Sequence, residues 1–208
     1  MTGMGTETGT GAGRTLVAGV GNVFLGDDGF GVEVARLLAE KPQRDGVEIA
    51  DFGIRGVHLA YELLDGCELL VLVDAAPRGE APGTLSVVDL GPVPREDSGA
   101  PSEPGEPATV DAGVMMNAHG MQPDTVLTLV ETLGGSVGRA VLVACEPEDV
   151  TDLAGLSPGV SAALDQAVHL VERLVSAPGS ILPDYPDGED GPVEQPTGTE
   201  PARSDQKW

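Results

Sequence analysis

Aromatic side chains are nearly absent from this 208-residue chain, which has one Trp, two Tyr and three Phe. A core built without them has to come from Ala, Val, Leu and Gly, a set that suits helices laid tightly on a sheet. Positive charge is also scarce: 11 Lys and Arg face 34 Asp and Glu, giving a net charge of −23. That balance makes nucleic acid and anionic membrane surfaces poor partners. No apolar run approaches the length of a membrane span. Cysteine is limited to Cys67 and Cys145, which lack any metal-binding or redox spacing and are expected as free, buried thiols of a cytoplasmic protein. The sequence is read as having no Gly-x-Ser-x-Gly elbow and no His-Glu-x-x-His, which argues against the Ser-hydrolase and common zinc-protease helix patterns.

What the chain does have is concentrated between Leu16 and Gly31. Leu16 to Gly19 reads as a short buried strand, and Val34, Leu37 and Leu38 carry the spacing of a helix that follows. The turn between them holds Asp27 and Asp28. It is not a dinucleotide fingerprint, because Phe24 stands where Gly-x-Gly-x-x-Gly needs its third glycine. Two carboxylates would also repel a pyrophosphate at that helix end. The helix dipole favours an ionised aspartate there by about 0.3–1 kcal/mol, the state a hard-metal ligand requires. Helix capping is the other role open to either residue.

Taken in order, the chain reads β-α-β-α-β-β-α-β-α. Strands are expected at 16–19, 47–52, 68–74, 84–90 and 139–145, with helices at about 29–40, 57–64, 123–133 and 160–175. The run Glu68 to Asp74 is nearly all apolar, the pattern of a central parallel strand buried on both faces. The fold class is therefore three-layer α/β over residues 14–176, a mostly parallel sheet of about five strands between helix layers. Met1 to Gly13 is Gly/Thr-rich, without a basic or apolar region of a secretory signal, and is read as a flexible extension. The Pro-, Gly- and Glu-rich stretch from Gly91 to Ala118 is either functional or partly disordered. From Ala177 the Pro-rich acidic tail lacks the aliphatics for a core and is read as disordered.

Open parallel sheets bind ligands at the carboxyl ends of their strands. Asp28, Asp74 and His119 all fall at or beside that edge, and two carboxylates with one imidazole form a workable set for a divalent transition metal. Each also has a plainer reading: a cap, a strand-end turn residue and a surface histidine. Asp51 and Glu146 are weaker candidates at the same edge, for orienting a ligand and lining the cleft respectively, with a turn aspartate and a loop acid as their plainer readings. His58 and His169 read as solvent or packing residues.

The sequence resembles the [NiFe]-hydrogenase maturation proteases. The match runs through Gly19-Val20-Gly21-Asn22, Leu25, Asp27-Asp28-Gly29-x-Gly31, Asp51-Phe52-Gly53, Asp74-Ala75, His119-Gly120-Met121, Leu142 to Glu148 and Gly155-Leu156-Ser157-Pro158. It covers residues 15–175 in the family's order. The resemblance implies a twisted sheet between two helix layers, and an endopeptidase that trims the C-terminal tail of a hydrogenase large-subunit precursor after nickel is installed. It also implies that Asp28, Asp74 and His119 occupy the metal-contacting positions, the first being Glu in some members. The nickel would be carried by the precursor and sensed by the protease, and zinc or cadmium are other ions the site would take. Other readings are a non-catalytic assembly factor that binds the metallated precursor, and a nucleotide-binding enzyme on a similar scaffold. The N-terminal extension, the 91–118 connection and the acidic tail depart from the family pattern.

Overall fold

The computed structural model describes residues 13–94, 123–151 and 155–177. The strands are β1 (Thr15–Val20), β2 (Val47–Gly53), β3 (Cys67–Ala75), β4 (Leu85–Val93) and β5 (Val137–Cys145). The helices are α1 (Phe30–Ala39), α2 (Gly56–Glu62), α3 (Pro123–Thr132) and α4 (Pro158–Ser176). Short 3-10 turns at Gly26–Gly29 and Leu63–Asp65 lead into α1 and out of α2. The extension before residue 13, the 95–122 stretch with His119, and the tail from 178 lie outside the described residues.

The sheet order is β2-β1-β3-β5-β4. β1, β2, β3 and β5 are parallel, and β4 is an antiparallel edge strand on β5. Side chains alternate across the sheet. Leu16, Ala18, Leu70, Leu72 and Leu142 pack beneath α2 and α3, while Val17, Val71, Val73, Val141 and Val143 pack beneath α1 and α4. With apolar residues on both faces, β3 is buried almost along its whole length, as its continuous hydrophobic run requires. α/β architecture in three layers is thus the observed fold.

Boundaries moved where local chemistry outweighed the hydrophobic period. β4 runs past Leu90 to Val93 through register shifts at Gly91, whose φ is +77°. Pro92 is tolerated because an edge strand has an unpaired side. α4 starts at Pro158, two residues early, because Ser157 is its N-cap, with the hydroxyl accepting from the Val160 amide at 3.4 Å. α1 lies unusually close to the sheet. A Cβ at Gly31 would run into the Val73 and Val20 carbonyl oxygens, so only glycine lets the first turn of α1 rest on β1 and β3. That close approach brings the turn carrying Asp28 alongside the end of β3, where Asp74 sits.

Candidate active site

All four parallel strands end at one cleft of about 750 Å³, walled by Gly21, Asn22, Leu25, Asp28, Ile54 and Asp74 together with Pro147 to Val150. Asp28 comes from the 3-10 turn after β1, and one carboxylate oxygen accepts the Asn22 amide at 2.7 Å. Asp74 is the penultimate residue of β3. The two approach across Gly21, whose φ is +119° and whose missing Cβ makes room for the Asp28 carbonyl; a Cβ there would lie 3.7 Å from Asp74 Oδ1. Burial, with the like charge of Asp28, pushes the Asp74 carboxyl up to about 7, against one favourable amide from Ala75. A carboxyl so placed gains from either a proton or a cation. Among the described residues no group of three His, Cys, Asp or Glu could hold an ion. His119, the third donor expected from the sequence, lies outside them.

Asp27, adjacent to Asp28 in the same turn, does a different job. It is fully buried. Its carboxylate accepts the Ser157 amide at 2.6 Å, the Glu148 amide at 2.8 Å and the Asp149 amide at 3.1 Å. Burial alone would raise its pKa, but the three amides outweigh that and hold it below the usual carboxylate value. Asp27 therefore ties the loop after β5 and the start of α4 to the β1–α1 turn, and so fixes one wall of the cleft.

Of the other sequence candidates, Glu146 is buried away from the cleft, accepting the Arg78 amide at 2.6 Å to brace the chain after β3. Asp51 is exposed near the end of β2, with its carbonyl taken by Arg55. His58 is exposed on α2, and His169 is exposed on α4 beside Glu172 at 3.3 Å. Cys67 and Cys145 are free and buried, and burial pushes their thiols up to about 11 and about 12, so neither is a nucleophile. Gly134-Gly135-Ser136-Val137-Gly138 does have Gly-x-Ser-x-Gly spacing, but it leads from α3 into β5 and puts Ser136 at the opposite end of the sheet. Glu148, Asp149 and Val150 line the cleft and were missed as site residues. Their position at the end of β5 was the available signal.

The Asp74 geometry sets a pH dependence. An acid whose folded pKa lies above its unfolded value near 3.8 stabilises the fold in its protonated form, and that contribution fades as pH rises through about 7. Metal-free protein should therefore gain stability relative to Asp74→Asn as pH falls from about 7 toward 4. Urea midpoints of both proteins across that range test this; parallel curves would show that Asp74 does not titrate there.

No family model matches the chain. It is 30% identical over 168 residues to the hydrogenase expression/formation protein HoxM of Azotobacter vinelandii, covering 80% of this chain and 74% of the relative. It is 31% identical to HupD of Rhodobacter capsulatus, another hydrogenase expression/formation protein, covering 80% and 73%. The hydrogenase maturating endopeptidase HybD from E. coli superposes with a TM-score of 0.60 at 26% identity, covering 80% of this chain and 94% of that one. The hydrogenase 2 maturation peptidase from Thaumarchaeota archaeon SCGC_AB-539-E09 gives a TM-score of 0.56 at 30% identity, covering 78% and 98%.

Proposed function

The chain belongs to the hydrogenase maturation protease family, and from that premise we propose that it removes the C-terminal peptide of a nickel-loaded [NiFe]-hydrogenase large-subunit precursor. It is an endopeptidase. The observation that supports a role for the cation is the Asp28–Asp74 pair: two carboxylates face one cleft, one of them driven toward neutrality by burial and by the other's charge. A divalent ion held by the two carboxylates would relieve that repulsion, and an imidazole beside them would complete a donor set suited to a transition metal.

Asp28, Asp74 and His119 are the residues that would meet the nickel as part of the arriving substrate. Held there, the ion would supply Lewis-acid chemistry for a peptide carbonyl or a bound water. Asn22 orients Asp28 through its backbone amide, and Asp27 holds the opposite wall in register. Asp74, with an ordinary carboxyl pKa displaced to about 7, is also able to take or return a proton near neutral pH. Because the nickel would come with the precursor, an empty precursor would leave the site incomplete and be spared, which is specificity through assembly. Cytoplasmic action on the precursor belongs to the same proposal; no helix among the described residues is long and apolar enough to cross a membrane.

Purified chain incubated with nickel-loaded precursor should yield a shortened large subunit by mass spectrometry, and nickel-free precursor should stay intact. Binding of the loaded precursor without shortening would instead favour the assembly-factor reading.

A further inference from the structure

Large apolar side chains are exposed at six places among the described residues, and five of them, Val23, Phe24, Leu25, Ile54 and Val150, lie in the connections after β1, β2 and β5. The sixth, Tyr61, is on α2. The five therefore gather at the carboxyl edge of the sheet. Leu25, Ile54 and Val150 share the cleft wall with Asp28 and Asp74, and Val23 continues the rim toward Leu156 and Leu164 at the start of α4. Phe24 is the most exposed, at 71%. It is not on a loose loop: the Asn22 side chain accepts the Phe24 amide at 3.0 Å, and the Asn22 carbonyl accepts the Leu25 amide at 3.0 Å. The turn is thus held in the shape that puts the ring in solvent. A group of exposed apolar side chains bordered by polar and charged ones marks a protein-interaction site.

We infer that this rim is the docking face for the precursor polypeptide, with Phe24 and Ile54 gripping apolar side chains of the substrate while Asp28 and Asp74 face the bond to be cut. The inference rests on the peptidase reading of the cleft. Charge selects this occupant over a second copy of the chain. Self-association through the rim would set Asp28, Glu148 and Asp149 of two molecules against one another, in a chain already at −23. A partner with an apolar face and a neutral or basic border fits without that penalty.

Steady-state cleavage of nickel-loaded precursor by the full chain tests it. Phe24→Ser should raise KM about tenfold with little change in kcat, as loss of an aromatic anchor does. Ile54→Ser should act in the same direction, and Tyr61→Ser should match the unmodified chain. Binding of the same precursor to an Asp74→Asn chain, read by calorimetry, should weaken by the same factor when Phe24→Ser is added. If the unmodified chain binds the precursor without cutting it, and Phe24→Ser still weakens binding, the docking face stands and the peptidase reading falls. If the unmodified chain cuts and Phe24→Ser leaves both KM and affinity unchanged, the docking face is overturned. A lowered Tm with unchanged KM would assign the rim to a segment of this chain, and loss of a dimer would assign it to self-association; either overturns the proposal.

Discussion

Asp74→Asn should lower precursor cleavage more than a hundredfold while making the metal-free protein more stable above pH 7. Loss of a residue that merely orients a metal ligand costs about 10–100-fold in affinity or activity, so loss of a ligand itself should exceed that. The amide is nearly the same size as the carboxyl, but it carries no charge and neither takes up nor returns a proton. Stability should move the other way because the native carboxylate is ionised above about 7 against burial and against Asp28, and the amide removes that penalty. Activity falling as stability rises is a signature that a purely structural aspartate would not give. Cleavage time courses read by mass spectrometry, with urea melts at pH 8 on the same preparations, supply both numbers. Normal cleavage by Asp74→Asn would remove it from the site.

Asp27→Ala should instead cost about 3 kcal/mol or more of stability, because amides of Glu148, Asp149 and Ser157 would lose a charged acceptor in a buried place. Asp28→Ala, which strands only the Asn22 amide at a half-exposed position and removes the like charge beside Asp74, should cost no more than about 1 kcal/mol. The two adjacent aspartates are thereby separated: the first by stability, the second by activity. Denaturant titrations of both variants at neutral pH measure the difference. Equal losses would mean that Asp27 does not fix the wall of the cleft.

The distinction between these two residues also marks where reading the sequence runs out. Periodicity and composition located β3, from its unbroken apolar run, and β4, from its alternation, because burial on two faces or one leaves a direct trace in residue order. The strand-end rule then put Asp28 and Asp74 at the same rim, and they do face one cleft. The work of Asp27 had no such trace. Its three partners lie 121 to 130 residues further along the chain, and only the tertiary fold brings their amides to it. Glu146, open to a cleft-lining role or that of a loop acid, follows β5 and turns its carboxylate to the Arg78 amide. Helix ends were legible only when the cap was weighed: Ser157 ahead of Pro158 starts α4 more firmly than the first apolar residue, Val160.

The central claim is that Asp28, Asp74 and His119 share one cation at the carboxyl rim of the sheet. Anomalous diffraction from crystals of the full chain grown with zinc tests it most directly. A single peak is expected about 2.0–2.2 Å from a carboxylate oxygen of Asp28, a carboxylate oxygen of Asp74 and a ring nitrogen of His119. No ion between the two aspartates, or His119 directed to another part of the molecule, would contradict it.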